Sequence, residues 1–155
     1  MVEALAAMGF YFAFRGSMTS STAAYYAIFH AVSAYCNAGF SLFSDNFYSF
    51  SNNPWVLGIT MAEVVSGAVG FVFILDIKSK IVTFLTRKKA PLLKVETRLV
   101  FVGTILLLVL GFGGFWALES SHSLSGRPAG EAALISIFES TNSRNSGLSA
   151  IDLSE

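Results

Sequence analysis

The chain has 155 residues and a mean hydropathy of +0.62, with 54% hydrophobic and 13% charged residues balanced to a formal net charge of zero. A soluble domain carries about 25% charge, so this chain cannot cover a water-facing surface with polar side chains. Its 15 Phe, 5 Tyr and 2 Trp exclude a solvated disordered chain, zero net charge argues against a nucleic-acid partner, and a single cysteine, Cys36, excludes an internal disulfide, a Cys-rich zinc site and a CxxC redox motif. An integral membrane protein is left, with the lipid bilayer as its surroundings.

In chain order, the first apolar stretch runs from Ala4 to Phe14. It is too short to span a bilayer and reads as the end of a longer helix. It is not a signal peptide, because it lacks a basic leader and Glu3 precedes it. Ser20, Ser21 and Thr22 can cap a helix, which then covers AAYYAIFHAVSAYC and stops at Asn37-Ala38-Gly39-Phe40-Ser41. A first span follows from about Trp55 to Ile77, with Glu63 as its only charge before Asp76. A second span covers about Thr97 to Leu118, with no charge after Arg98. Each reaches the ~20 apolar residues a bilayer core requires, and Trp55 and Trp116 sit near span ends, where indole rings favour the interface. After Pro128 a helix is predicted to start near Gly130 or Glu131, to carry EAALISIFEST, and to stop at Asn145-Ser146-Gly147-Leu148-Ser149.

Charge sets the orientation. Lys78, Lys80, Arg87, Lys88, Lys89 and Lys94 lie in the loop joining the two spans, with Arg98 at its junction with the second, seven of the ten basic residues. A short loop so rich in Lys and Arg stays in the cytoplasm, which places the segments before Trp55 and after Leu118 outside. The organisation expected is thus 1–77, then a basic cytoplasmic loop at 78–96, then 97–155.

The two short helices and their glycine turns form a repeat. Laying Gly39 over Gly147, an offset of 108 residues, puts Ser33 over Thr141, Asn37 over Asn145, Ala38 over Ser146, Phe40 over Leu148 and Ser41 over Ser149. A helix too short to span, ending in a glycine turn beside a spanning helix, describes a re-entrant unit. Irregular backbone at membrane depth is tolerated only where it lines a cavity or is buried in protein. The C-terminal carbonyls of such a half-helix carry partial negative charge and favour a cation. Glycine allows the dihedrals that aim successive carbonyls at one axis. Oxygen ligands without a carboxylate cluster suit a monovalent cation better than calcium or magnesium.

Phe29 to Phe47, FHAVSAYCNAGFSLFSDNF, resembles the second pore loop of the Trk/Ktr/HKT superfamily of potassium transporters. Ile137 to Leu153, IFESTNSRNSGLSAIDL, resembles the third, with Arg144 and Gly147 in its Arg-x-x-Gly pattern followed by Ile151-Asp152. Gly67 to Phe73, GAVGFVF, is similar to the glycine-rich inner helix of the second repeat. The resemblance implies an all-α integral membrane fold of repeated helix–re-entrant pore loop–helix (M1–P–M2) units, related to potassium channels, with four units around one pore. Residues 1–77 then hold the end of one M1 with its pore helix, filter loop and M2. Residues 97–155 hold M1, pore helix and filter loop of the next, an internal fragment of a transporter whose other repeats lie elsewhere. It implies potassium as transported ion, no organic cofactor, a bacterial inner (plasma) membrane location with several passes, a homodimer, and a cytosolic nucleotide-binding regulatory subunit. The potassium ligands would be backbone carbonyls at Asn37, Ala38, Gly39 and Phe40 and at Asn145, Ser146, Gly147 and Leu148. Leu148 departs from the family's usual Phe, and Ser146 stands where Ala is common.

Beside these, the Asn37 and Asn145 side chains are expected to brace the loops. Arg144 is expected to turn away from a cation path toward Glu139, Asp152 or carbonyls behind the filter. Glu63 reads as a paired or snorkelled carboxylate, His30 as packed, His122 as solvated, Phe10, Phe12 and Phe14 as packing residues, and Gly111, Gly113 and Gly114 as points of close helix approach. An intramembrane enzyme using a serine or Glu63 is disfavoured, because no serine is spaced to a base and neither histidine lies near Glu63. A non-conducting membrane fragment or a structural or assembly subunit is the alternative to transport.

Overall fold

A computed structural model describes residues 2–85 and 95–151, the side chains at 70–82, 84, 85, 96 and 145 excepted. The described residues form helices joined by turns and extended loop segments, with no β-sheet among them. Five α-helices follow in order: α1 (Val2–Phe14), α2 (Ser20–Tyr35), α3 (Pro54–Leu85), α4 (Val95–Glu119) and α5 (Ala129–Asn145), with one 3-10 turn at Tyr48–Phe50.

The helix starts follow local chemistry. Thr19, in extended conformation, caps α2 by accepting the Thr22 amide at 3.4 Å, one residue earlier than the expected Ser20–Thr22 group. At α3, Asn53 Oδ1 accepts the amides of Trp55 at 3.1 Å and Val56 at 3.3 Å, and Pro54 fills the first helical position, where a missing N–H costs nothing. The helix runs 32 residues to Leu85, about 48 Å at 1.5 Å per residue and well beyond a ~30 Å hydrocarbon core. Positions 78–85, expected in the basic loop, therefore lie on α3, and 95–96 lie on α4. The backbone pairing of a helix continues past the apolar stretch that marks a span, so charge change and helix end do not coincide. The expected loop residues 86–94, Arg87, Lys88, Lys89 and Lys94 among them, lie outside the described residues.

α1 packs on α2, and both contact α3. Ala23, Ala27, Ala31 and Ala34 recur at helical spacing on α2 and are buried together with Phe10 and Phe14 of α1. Small residues on one helix face let a neighbouring helix approach closely. Phe12 is 58% exposed. α4 lies against α5 and keeps most of its apolar surface outward: along Thr97–Glu119, a helix long and apolar enough to cross a membrane, 6% of the most apolar window is buried. At their contact the Ser140 hydroxyl donates to the Leu108 carbonyl at 2.9 Å, and a Cβ on Gly111 would overlap Ser140 Oγ. Among the described residues nothing lies within 4 Å of a Cβ on Gly113 or Gly114, so of the three glycines expected at close helix approaches Gly111 is the one that meets a neighbouring helix here.

Candidate functional site

Both glycine segments emerge from helix C-termini, by different routes. After α2 the chain turns through two left-handed residues, Asn37 (φ 54°) and Gly39 (φ 72°). The Ala38 amide donates to Ser33 O at 2.9 Å, and the Ser33 hydroxyl donates to Phe40 O at 2.7 Å, so the helix end stitches down the strand that leaves it. After α5 the chain simply extends: Ser146 has φ −129° and ψ 153°, and its amide donates to Asn142 O at 2.8 Å. The two segments then meet. A Cβ on Gly39 would overlap Gly147 N and lie 2.7 Å from Gly147 Cα, whereas one on Gly147 would find its nearest atom, Gly39 O, at 3.6 Å. Only a residue without a side chain fits at Gly39.

The loop after the first glycine holds the second segment. The Phe47 amide donates to Ser149 O at 2.9 Å, and Asn46, itself left-handed at φ 56°, donates from Nδ2 to Gly147 O at 3.2 Å. Behind it lies an aromatic cluster. His30 stacks on Phe43 at 4.8 Å between centroids, Phe14 meets His30, Phe43 and Phe50, and Phe47 reaches Phe138 of α5 at 6.3 Å. Outside this cluster the Ser49 hydroxyl and amide donate to Asp45 Oδ2, and the hydroxyl holds the Asp45 carboxyl below the usual carboxylate range.

The remaining expected residues are placed as follows. Ala38 and Phe40 are exposed, while Leu148, at the position equivalent to Phe40, is 2% exposed. Asn37 Nδ2 lies 3.4 Å from Tyr35 O, a bracing contact, and the Asn37 Oδ1 and Ser146 Oγ atoms are buried without a hydrogen-bond partner among the described residues. The side chain of Asn145, and Asp152, lie outside the described residues. Arg144 sits in the last turn of α5, and Glu139 is engaged by Ser149 Oγ and the Ala150 amide. Gly67 of α3 abuts the end of α2, where a Cβ would overlap Tyr35 O and stand 2.9 Å from its carbonyl carbon. Glu63, expected to be paired or snorkelled, is 2% exposed, so its carboxyl does not reach outward, and its Oε2 is buried with no hydrogen-bond partner among the described residues. His122 is exposed.

Two helix C-termini, whose ends carry partial negative charge, are each followed by a glycine segment, and the two segments touch at Gly39 and Gly147. Partial negative charge of this kind suits a cation. Comparison with known families agrees: the model for TrkH, described as a cation transport protein, matches residues 1–155. The chain belongs to the TrkH cation transport family. It is 34% identical over 136 residues to the Ktr system potassium uptake protein B of Vibrio alginolyticus, covering 86% of this chain and 29% of that relative. It is 30% identical over 130 residues to the Ktr system potassium uptake protein D of Bacillus subtilis, covering 84% and 28%, and 30% identical over 129 residues to the potassium/sodium uptake protein NtpJ of Enterococcus hirae, covering 83% and 27%. The chain therefore spans less than a third of the length of these relatives. They are transport proteins by name, and the chain is accordingly a member of a transport family and not of an enzyme family.

Sequence reasoning missed Asn46 in this TrkH-family chain, and it left His30 as a packing residue and Glu139 as a partner for Arg144. Asn46 carried a usable signal, since Asn is one of the few side chains that tolerate a left-handed backbone. The latching bonds of His30 and Glu139 depend on residues ten to twelve positions away, which no local pattern marks.

Proposed function

We propose that this chain supplies two neighbouring re-entrant repeats of a potassium-conducting pore, with a filter built from backbone carbonyls at Asn37, Ala38, Gly39 and Phe40 and at Asn145, Ser146, Gly147 and Leu148. The observation that carries the reading is the meeting of Gly39 and Gly147, 108 residues apart, each at the end of a short helix. On this reading α2 and α5 are pore helices entering from outside, α3 is an inner helix and α4 an outer one. A dehydrated cation then exchanges its water for carbonyl oxygens, a passive step without covalent chemistry. Potassium is favoured because two relatives are named as parts of Ktr potassium uptake systems and a third as a potassium/sodium uptake protein.

The setting is a bacterial inner membrane crossed several times, with the basic segment between α3 and α4 cytoplasmic, further repeats completing the ring, a homodimeric membrane subunit, and a cytosolic nucleotide-binding subunit as gating partner. The word "system" in the names of two relatives fits a transporter of more than one component.

The test is uptake by cells stripped of their own potassium transporters and expressing the complete polypeptide that contains residues 1–155. Potassium uptake with sodium largely excluded is expected, and Gly39→Ser or Gly147→Ser should weaken that preference. Unchanged affinity and sodium exclusion in both variants would remove these segments from the filter.

A further inference from the structure

The strands leaving the two glycines are held by the same latch, built from different side chains. In the first, the Leu42 amide donates to His30 Nε2 at 3.3 Å. That nitrogen therefore carries no proton, and the ring hydrogen sits on Nδ1, 2.7 Å from Tyr26 O. The Ser41 hydroxyl has two acceptors in reach, the same Nε2 at 3.1 Å and Asn46 O at 3.4 Å, the nearer being His30, while Ser41 Oγ accepts the Phe43 amide at 3.1 Å. In the second strand, the Ala150 amide donates to Glu139 Oε1 at 2.6 Å, the Ser149 hydroxyl has the same Oε1 at 3.0 Å and Ile151 O at 3.1 Å as acceptors, and Ser149 Oγ accepts the Ile151 amide at 3.2 Å.

The offset of 108 carries Ser41, Leu42 and Phe43 onto Ser149, Ala150 and Ile151. The acceptors do not superpose: Phe138 stands over His30, and Glu139 is one position further on. His30 is fully buried, and Glu139 and Ser149 are 8% and 3% exposed. A latch reproduced bond for bond from non-equivalent residues points to a requirement on the strand and not to a shared ancestral contact. Each latch secures two amides and one hydroxyl within four residues of the glycine. Without it those amides turn to seek other acceptors, and the carbonyls joined to them by rigid peptide planes turn as well.

We propose that His30 and Glu139 are positioning residues that fix the strand beyond each filter glycine and thereby set cation preference, with Glu139 acting as an acceptor oxygen and not as a charge. This rests on the reading of Gly39 and Gly147 as filter glycines.

The test again uses cells expressing the complete polypeptide, with membrane levels measured for each variant and potassium uptake recorded against sodium and rubidium competition. If the unsubstituted protein carries no potassium, the pore reading fails and the latch assignment falls with it. If it does carry potassium, His30→Leu and Glu139→Leu should each lower the potassium-over-sodium preference by about tenfold, while His30→Gln and Glu139→Gln, which keep an acceptor in reach, retain most of it. Ser41→Ala and Ser149→Ala remove the hydroxyl arm at small cost in volume. They should lower the preference by about threefold, and they decide the matter if the leucine variants do not reach the membrane. Three results would overturn the assignment: a fall in maximal rate with unchanged preference in the leucine variants, Glu139→Gln as damaging as Glu139→Leu, or full preference in both serine variants.

Discussion

The Asn46 side chain donates to the Gly147 carbonyl oxygen at 3.2 Å, joining residues 101 positions apart. The left-handed backbone at Asn46 turns the chain after Phe43, whose carbonyl accepts the Asn46 amide at 3.3 Å, and delivers Phe47 N–H to Ser149 O at 2.9 Å. One loop of the first repeat thus carries two of the bonds that hold the glycine strand of the second. Replacing Asn46 tests the backbone and the bond separately. Asn46→Gly loses a hydrogen bond worth about 1 kcal/mol. Asn46→Ala loses the same bond and adds about 1 kcal/mol of left-handed strain. Thermal unfolding of the purified complete polypeptide in detergent should rank the unsubstituted protein above Asn46→Gly and that above Asn46→Ala; equal midpoints for the two variants would remove the backbone contribution.

Gly39 and Gly147 should not tolerate substitution equally, although the repeat makes them equivalent. A methyl on Gly39 meets Gly147 backbone at 2.7 Å on a left-handed residue, whereas one on Gly147 has 3.6 Å of room. Gly39→Ala is expected to cost about 1–3 kcal/mol of overpacking and most of the potassium preference, and Gly147→Ala to keep a measurable share of it. Sodium competition curves for the two variants check this, and a more severe effect at Gly147 would contradict the packing.

Gly67 separates close approach from open surface on the long helices. A Cβ there overlaps the Tyr35 carbonyl at the end of α2, and main chain cannot rotate aside as a side chain can. Gly67→Ala should lower stability by about 1–3 kcal/mol. Gly103→Ala faces nothing within 4 Å and should be neutral or stabilising by up to about 1 kcal/mol through helix propensity. Detergent-solubilised unfolding midpoints distinguish the pair, and equal midpoints would mean that α2 does not rest on α3 at Gly67.

Topology follows from charge and can be read chemically. In a Cys36→Ser background, single cysteines at positions 45 and 122 should react with an impermeant thiol reagent added to intact cells, and one at position 88 only after permeabilisation. Cys36 itself is exposed, so its removal is needed for a clean reading. Rapid labelling at 88 from outside would invert the orientation and with it the outward-facing filter proposed above.

Composition, the apolar stretches and the 108-residue repeat were sufficient to mark a membrane chain, its helices and the two glycine segments, because each is a property of neighbouring residues: hydropathy, helix stop signals, glycine after a short helix. The helix boundaries moved where a single side chain decided them, at Thr19 and Asn53, and where helical pairing outlasted the apolar run, at positions 78–85. Residues distant in sequence had to be brought together before the rest could be seen. The contrast between buried Leu148 and exposed Phe40, the tight fit at Gly39 but not Gly147, the bond from Asn46 to Gly147, and the two latches at His30 and Glu139 all depend on how the second segment lies against the first. A repeat in sequence makes two positions equivalent; only their packing, which follows no local period, assigns them different work.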